Sequence, residues 1–417
     1  MDSKTPSVLI VGINFFPEPT GIGKYTSEMA FHLGQKEYNV KVVTGFPYYP
    51  TWKVFPGYKN LFFKTENIQG VSVTRCPLYV PGSLSGLKRM MQDFSFFSTS
   101  LLYVTTLMLR GRRYNIIFIP SPSFMSGFVG SFYKFFNRKT KFIYHIQDLQ
   151  VDAAEELGMI KSSILVKVLK KCERFILKNA SWVTTISTGM QKKIAEKPVT
   201  IKNQYLFPNW VDFGQIFPKE PDISTLAGLG FPLNKKMVFY SGAVGEKQGL
   251  EMILDVALRA LSTLPGLVFV ISGSGPYAKT LQQKAANQKL TNLFFIDLQP
   301  IEIFNELLNH AYLHLVIQKG KASDLLLPSK LTNIMAVGGL SIVTALPGTT
   351  LFDIVATNNL GLVIPPEDPQ AFWEALSIAA LDLDTTEILR KNSMLYAEKY
   401  LKKEAVIGNF LAEISTS

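Results

Sequence analysis

Short apolar runs rich in β-branched residues recur along the chain, and each is followed by a loop and a helical segment. Two clear examples are Val8–Ile13 and Leu267–Ser272, which lack the polar–apolar alternation of a strand with one solvent-facing side. Such runs are typical of strands buried on both faces of a parallel sheet. The sequence therefore predicts an α/β protein with helices on both faces of its sheets.

The chain is too long for a single core, because it has 417 residues. An extended passage through Phe207–Asp212 precedes a second series of strands and helices, which begins at Lys236. The sequence thus predicts two doubly wound, Rossmann-like domains with a cleft between them. The expected boundaries are residues 1–205 and residues 206–392.

The positive charge of the chain is concentrated in its first half. Residues 1–200 hold 26 Lys or Arg and 12 Asp or Glu, a net of +14, whereas the remaining residues hold 17 and 20, a net of −3. This asymmetry indicates an anionic partner for the first half. No nucleic-acid recognition motif is present, so we expect an acidic membrane surface or a lipid diphosphate instead.

Targeting and membrane signals are sparse. The start of the chain lacks the basic-then-apolar pattern of a signal peptide. The two cysteines of the chain form no disulfide or zinc pattern, so we expect a cytoplasmic protein. No apolar run is long enough to span a bilayer. The uncharged run Phe94–Leu109 is followed by three arginines and is either a buried helix or a helix at the membrane interface.

In the first half, candidate site residues follow strands. A loop carrying Thr20, Gly21 and Gly23 precedes a helix and could hold a phosphate or let an acceptor approach closely. Its glycines come too late after the strand for a dinucleotide fingerprint, and no acid ends the next strand. His145 and Asp148 lie at the end of a later strand, where open α/β sheets place ligands.

The stretch Phe46–Phe63 is rich in proline and aromatic residues. It predicts a long surface loop with little regular structure, a kind of segment that is often functional. Exposed aromatic side chains there could stack on sugars or enter lipid. The alternative is a loop packed on its own side chains.

In the second half, three segments could converge at strand ends. Two are glycine-bearing loops, Gly242–Gly249 and Gly273–Gly275, and the third is a helix start at Asp324–Asn333. A helix start offers free N–H groups and a positive dipole end, so a nearby lysine makes a seat for phosphate. Lys247 and Lys330 could neutralise a diphosphate there.

The order and spacing of these segments resembles the GT-B glycosyltransferases of family 4 over nearly the whole chain. The matching segments are Pro19–Gly23, His145–Asp148, Pro208–Asp212, Ser241–Glu251, Ser272–Pro276 and Pro328–Gly338. The resemblance implies a GT-B fold, with an acceptor-binding first domain and a donor-binding second domain. It also implies a last helix, at about 393–417, that crosses back to the first domain.

Two departures from the family pattern concern the donor site. The family usually has two glutamates separated by seven residues, whereas this chain has Leu325 and Asn333 at those positions. Asp324 lies beside Leu325 and is a candidate for part of the missing role. The family's donor loop usually carries an arginine and a later lysine, which are Ala243 and Gln248 here, with Lys247 adjacent.

The resemblance implies retaining transfer of a sugar without a metal or other cofactor. The expected donor is GDP-fucose or another GDP- or UDP-sugar. The expected acceptor is a polyprenyl-diphosphate-linked saccharide of exopolysaccharide biosynthesis, at the inner face of the plasma membrane. The site residues it implies are His145, Asp148 and Asp324 for catalysis, with Gly242, Lys247, Gly273, Gly275, Ser329, Lys330, Leu331 and Asn333 for the donor and Thr20, Gly21 and Gly23 for the acceptor or a phosphate.

Two other functions stay open at this point. A GT-B nucleotide-sugar epimerase or phosphorylase would keep the fold and change the chemistry. A membrane-surface scaffold would keep the nucleotide pocket without catalysis, and Leu325 and Asn333 are the residues that favour it.

Overall fold

The computed structural model describes residues 6–18, 21–82, 85–152, 163–320 and 328–416, without the side chains of residues 163 and 247. The chain divides into two compact units. The first contains Met1–Ile186, Met190–Phe207 and Phe410–Ser417, and the second contains Ser187–Gly189 and Pro208–Asn409.

The described part of the first unit is built on an eight-stranded sheet in the order β3-β4-β2-β1-β5-β6-β7-β8. Every neighbouring pair is parallel except β3 and β4. The strands are β1 (Ser7–Gly12), β2 (Asn39–Gly45), β3 (Lys64–Ile68), β4 (Val71–Cys76), β5 (Ile116–Ser121), β6 (Lys141–Ile146), β7 (Trp182–Thr185) and β8 (Gln204–Leu206).

Helices pack on this sheet along their apolar faces. They are α1 (Gly21–Gln35), α2 (Gly86–Leu109), α3 (Ser126–Phe136), α4 (Ser163–Asn179) and α5 (Thr188–Ala195). Helix α2 begins eight residues before the predicted apolar run, because the side chain of Ser85 caps it by accepting a hydrogen bond from the Lys88 N–H. Its face with Phe96, Val104 and Leu107 is buried.

The aromatic stretch after β2 is only partly a surface loop. Phe46 and Tyr48 are buried, whereas Leu61 and Phe62 are exposed. The predicted lack of helix and strand is confirmed, and for the first residues of the stretch the structure agrees with the alternative of a packed loop rather than with exposed aromatics. Strand β3, which follows the stretch, was not predicted, because its charged sequence lacks the apolar pattern of a central strand and it pairs only at the sheet edge.

The described part of the second unit has a six-stranded, fully parallel sheet in the order β11-β10-β9-β12-β13-β14. The strands are β9 (Lys236–Ser241), β10 (Leu267–Ser272), β11 (Leu293–Ile296), β12 (Leu313–Val316), β13 (Ser341–Thr344) and β14 (Leu362–Ile364). Two clusters of buried apolar side chains contain alternate residues of these strands, such as Val238 and Phe239, so the sheet is covered on both faces.

The helices after the first unit's last strand are mostly short. They are α6 (Ile223–Leu226), α7 (Glu251–Thr263), α8 (Ala278–Asn287), α9 (Ile301–His310), α10 (Ser329–Ala336), α11 (Thr350–Thr357), α12 (Pro369–Leu381), α13 (Leu383–Tyr400) and α14 (Lys403–Thr416). The end of α14 belongs to the first unit, where the Phe410 ring stacks on Phe207 with centroids 4.3 Å apart.

Within the described ranges, no helix has both the length and the apolar character needed to cross a bilayer.

Candidate active site

A cavity of about 390 Å³ opens in the first unit beside the carboxyl ends of β1, β5 and β6. Strand β1 has β2 on one side and β5 on the other, so the strand order reverses there. Reversal points of this kind are where open α/β sheets bind ligands. Tyr48, Tyr49 and Trp52 form an aromatic wall, and the Trp52 ring centroid lies 5.5 Å from that of Tyr48.

Two of the predicted loop glycines, Gly21 and Gly23, open helix α1 and line this cavity. Gly21 has φ +65°, a left-handed conformation that favours glycine. A Cβ atom on Gly23 would lie 3.1 Å from Glu18 Oε2, so glycine allows the helix to approach that carboxylate closely. Thr20, predicted beside them, lies outside the described residues.

Glu18 is a buried carboxylate that the sequence analysis missed. Its Oε1 accepts hydrogen bonds from the backbone N–H groups of Tyr48 and Tyr49, both at 2.9 Å, and its Oε2 accepts one from Asn14 Nδ2 at 2.8 Å. Burial raises the pKa of Glu18, and these hydrogen bonds oppose the rise. The contacts tie the loop after β1 to the aromatic wall of the cavity.

His145 lies in β6, two residues before the cavity-lining Gln147, and is 3% exposed. Its Nδ1 is 2.9 Å from Thr184 Oγ1, and its Nε2 is 3.1 Å from Gln147 Nε2. When the Gln147 amide donates to Nε2, the proton of the neutral ring lies on Nδ1 and is donated to Thr184. Burial lowers the pKa of His145 to about 3, so the ring is uncharged near neutral pH. Gln147, which this contact orients, lines the cavity.

Carboxylates from two elements line the same cavity. Asp148 follows β6 as predicted, and Asp93 comes from helix α2, which the sequence analysis did not propose as part of a site. Desolvation raises the pKa of Asp93 to about 7 and also raises that of Asp148, and the positive charge of Arg89 opposes both shifts. Arg89 itself lies over the Trp52 ring, 5.5 Å from its centroid.

In the second unit, the loops after β9 and β10 meet at three predicted glycines. A Cβ atom on Gly273 would lie 2.0 Å from the Gly242 carbonyl oxygen, and one on Gly275 would lie 2.2 Å from the Val244 carbonyl oxygen. A side chain cannot fit at either distance. The backbones of the two loops can therefore approach each other only because these positions are glycine.

Lys330, in helix α10, reaches the same loops. Its Nζ lies 3.2 Å from Tyr240 Oη and 4.3 Å from the centroid of that ring, and Tyr240 Oη donates to the Ala243 carbonyl at 2.8 Å. A Cβ atom on Gly242 would be 3.7 Å from the Lys330 Nζ. Desolvation lowers the pKa of Lys330 to about 8. A poorly solvated cation thus lies beside the glycine loops.

The other predicted residues of this helix differ in position. Ser329 is exposed and begins α10, Asn333 is half-buried one turn later, and Leu331 is fully buried in the core of the unit. The Leu331 side chain therefore faces away from solvent, and its N–H donates to the Pro328 carbonyl at 2.9 Å. Pro328 provides no side-chain cap for the helix.

Two further predicted residues lie wholly or partly outside the described part of the chain. Asp324, with its neighbour Leu325, lies outside the described residues. Lys247 falls in the short 3₁₀ turn Glu246–Gln248, but its side chain is outside the description. The adjacent Gln248 Oε1 accepts a hydrogen bond from the Gly245 N–H at 3.1 Å, so Gln248 stabilises the loop itself.

No group of three or more His, Cys, Asp or Glu side chains in the described residues could hold a metal ion. The chain has an Asp-x-Asp sequence at Asp382 and Asp384, where paired carboxylates could attract a cation. Asp382 instead caps helix α13, because it accepts hydrogen bonds from the Thr385 N–H at 2.9 Å and the Thr385 hydroxyl at 2.7 Å.

Comparisons with known proteins cover nearly the whole length of the chain. Residues 20–210 match a family model described as a glycosyl transferase 4-like domain, and residues 225–394 match one described as glycosyl transferases group 1. WcaI of Escherichia coli (strain K12), named for glycosyl transfer in colanic acid biosynthesis, is 37% identical over 98% of this chain and 99% of its own length.

Solved structures share the fold at low sequence identity. Sucrose-phosphate synthase from Thermosynechococcus elongatus superposes with a TM-score of 0.74 at 16% identity, over 99% of both chains. Anabaena HepE in complex with UDP superposes with a TM-score of 0.70 at 13% identity, over 99% of this chain and 100% of its own. Both confirm the predicted architecture.

The fold therefore defines a GT-B protein with two Rossmann-like units, as the sequence predicted. The family models and the identity to WcaI place the chain in family 4 of the GT-B glycosyltransferases, and it is a glycosyltransferase enzyme.

Proposed function

We propose that the enzyme transfers a sugar, with retention and without a metal, from a nucleotide diphosphate sugar to a polyprenyl-diphosphate-linked saccharide of exopolysaccharide biosynthesis. GDP-fucose or another GDP- or UDP-sugar is the donor. The similarity to WcaI supports colanic acid, or a related polymer, as the product. The HepE complex with UDP supports a nucleotide donor, because the two proteins share a fold.

The assignment of the donor site rests on the position of Lys330. Its ammonium lies at the start of a helix and beside the Gly242 loop. Free N–H groups, the positive end of a helix dipole and a lysine together favour a diphosphate. Gly273 and Gly275 keep this edge of the sheet free of side chains, and Ser329, Asn333, Asp324 and Lys247 are proposed as further donor contacts.

Charge develops on the diphosphate as its bond to the sugar breaks. A desolvated ammonium and fixed N–H dipoles stabilise such charge without reorganisation, which is the usual source of the largest catalytic contribution. Lys330 and the start of α10 would thus support the leaving group in place of a metal. Leu331 would contribute only by fixing the helix in the core.

The cavity of the first unit is the proposed acceptor site. Gly21 and Gly23 let the acceptor approach the backbone, and Asp148 offers a carboxylate to a hydroxyl. His145 acts as a positioning residue, because it contacts Gln147 and Thr184 rather than the cavity. His145 is therefore expected to affect turnover by holding the Gln147 amide in its orientation.

Helix α4 supports peripheral binding to the inner face of the plasma membrane. Its exposed residues follow one another at helical spacing and comprise three apolar and four basic side chains: Ile164, Lys167, Val168, Lys171, Arg174, Phe175 and Lys178. An exposed face of this kind can insert apolar side chains between lipid headgroups while its cations bind acidic lipids.

Thermal shift with UDP, GDP, dTDP and CMP, with and without magnesium, tests the donor site. A ligand that binds only the native state raises the melting temperature. We expect a shift with a nucleoside diphosphate that does not depend on magnesium and that is reduced in Lys330→Met. The exposed Lys279 provides a matched control, because Lys279→Met should leave the shift unchanged. No shift with any of the four nucleotides would contradict the proposal.

Co-sedimentation with phosphatidylglycerol vesicles tests the membrane proposal. Binding should exceed that to phosphatidylcholine vesicles and should fall in Phe175→Ser. Leu381 is an exposed apolar residue of the second unit, so Leu381→Ser is the control. Equal binding by both variants and the unchanged protein would show that helix α4 is not the membrane surface.

A further inference from the structure

Helix α2 contributes two adjacent polar side chains, Gln92 and Asp93, to the lining of the cavity in the first unit. Gln92 is 3% exposed and lines the cavity, yet within the described residues its Nε2 has no hydrogen-bond acceptor. Buried amide groups are almost always hydrogen-bonded, because an unpaired donor loses its hydration without compensation. The Nε2 atom has almost no accessible surface, so its N–H groups can bind a ligand oxygen once the Gln92 amide turns toward the cavity.

Asp93 provides the complementary group. Its carboxylate lines the same cavity, and among the described residues desolvation and the charge of Arg89 determine its pKa. Arg89 acts on it through charge alone and at the same time covers the Trp52 ring. A hydroxyl group of a ligand could donate to Asp93 while a hydroxyl oxygen accepts from Gln92.

The remaining walls define the rest of the ligand. The rings of Tyr48, Tyr49 and Trp52 form one side of the cavity. Flat aromatic surfaces pack well against the C–H face of a sugar ring, whose hydroxyl groups then point to the polar residues. This combination suits a ring that has both an apolar face and neighbouring hydroxyl groups.

The charges of the cavity limit the class of sugar. Asp93 and Asp148 provide two carboxyl groups, and Arg89 is the one cation among the described lining residues. A uronic acid or a phosphorylated sugar would bring a further negative charge into a site where desolvation already disfavours the charged forms of Asp93 and Asp148. A neutral sugar meets no such repulsion.

We propose that Gln92 and Asp93 are specificity-determining residues that bind neighbouring hydroxyl groups of an uncharged sugar, the terminal residue of the acceptor. This inference rests on the proposed function, because it takes the cavity as the acceptor site. It adds two residues from helix α2 and restricts the acceptor end to neutral sugars.

Saturation-transfer NMR with methyl glycosides tests the inference directly. The probes are the methyl glycosides of glucose, galactose and fucose and the methyl glycoside of glucuronic acid. The unchanged protein should bind at least one neutral glycoside and should not bind the glucuronide. Binding should weaken at least about ten-fold, or about 1.4 kcal/mol, in Gln92→Glu, which keeps the size of the side chain but removes its N–H donors.

Asp93→Asn is the second variant and should weaken binding similarly, because an amide is a poorer partner for two hydroxyl donors than a carboxylate. Asp255→Asn, on an exposed position of helix α7, is the control and should bind as the unchanged protein does. Equal binding of the glucuronide, no binding of any neutral glycoside, or normal binding by both cavity variants would each overturn the inference.

The thermal shift with nucleoside diphosphates separates this inference from the proposed donor site. The shift should be the same in Gln92→Glu, Asp93→Asn and the unchanged protein, because neither residue belongs to the second unit. A normal nucleotide shift without glycoside binding would refute the role of helix α2 alone. Glycoside binding without any nucleotide shift would refute the donor site alone.

Discussion

The desolvated ammonium of Lys330 makes nucleotide binding dependent on pH. Its Nζ contacts Tyr240 Oη at 3.2 Å, and no carboxylate of the described residues lies within 4.0 Å of it. Burial without a counter-ion lowers the pKa of Lys330 to about 8. In the free enzyme the ammonium therefore loses its proton as the pH rises from about 7 to about 9.

The size of the effect follows from this pKa. At about pH 9 only about one-tenth of the free enzyme retains the proton, whereas near pH 7 most of it does. A diphosphate that needs the ammonium should then bind up to about ten-fold more weakly at the higher pH, a loss of about 1.4 kcal/mol. Binding also raises the pKa of Lys330, because the diphosphate supplies the missing negative charge, so complex formation near pH 8 should take up a proton.

Isothermal titration calorimetry with GDP and UDP measures both quantities. Proton uptake appears as a binding enthalpy that changes with the ionisation enthalpy of the buffer. Lys330→Met has no titrating group at this position, so it should bind at least about ten-fold more weakly near pH 7 and show little further loss at higher pH. Lys279→Met should behave as the unchanged protein does.

Two results would refute this reasoning. Equal affinity of the unchanged protein near pH 7 and near pH 9 would show that the Lys330 proton is not coupled to nucleotide binding. The same loss of affinity in Lys330→Met would show that another group, or the nucleotide itself, causes the pH dependence.

Three further predictions concern stability and turnover. Gly273→Ala should lower the melting temperature and abolish the nucleotide shift, because its Cβ would lie 2.0 Å from a carbonyl oxygen, whereas Gly266→Ala, which meets open space, should do neither. The folded protein should lose stability as the pH rises toward 7, because the Asp93 carboxyl, with its pKa raised to about 7, keeps a proton that the unfolded chain has released. The loss is at most about 1.4 kcal/mol of unfolding free energy per pH unit. Urea midpoints at pH values on either side of 6 measure it, and Asp93→Asn should remove it. His145→Ala should lower turnover and leave nucleotide affinity near normal, and a folded variant with full activity would exclude the positioning role.

The parallel strands and their glycine-bearing ends could be predicted from the sequence, because both depend on local patterns. A short run rich in β-branched and aromatic residues that ends at a glycine, such as Leu267–Ser272, is typical of a buried strand. A glycine directly after it, Gly273, marks a place where backbone must come close to something. In this chain that partner is the carbonyl of Gly242, which no local pattern could reveal.

The residues that were missed depend on tertiary contacts. Glu18 is one carboxylate among many in the sequence, and only the fold brings two backbone N–H groups to it. Gln92 and Asp93 belong to a helix whose apolar residues dominated its interpretation. Leu331 differs from both, because its side chain is buried in the core, so its predicted place in the donor site concerns its backbone.

The charge asymmetry of the chain and the charges of the cavity point to different parts of the acceptor. The net charge of +14 in residues 1–200 predicts an acidic partner for the first half, but the cavity of that unit presents Asp93 and Asp148 against Arg89. The cavity therefore does not account for the excess positive charge. That charge lies outside it, for example along the exposed face of helix α4, where four cations lie among three apolar side chains. An acceptor with a neutral sugar at one end and a diphosphate lipid at the other would match both features, since only its lipid end would meet the basic surface.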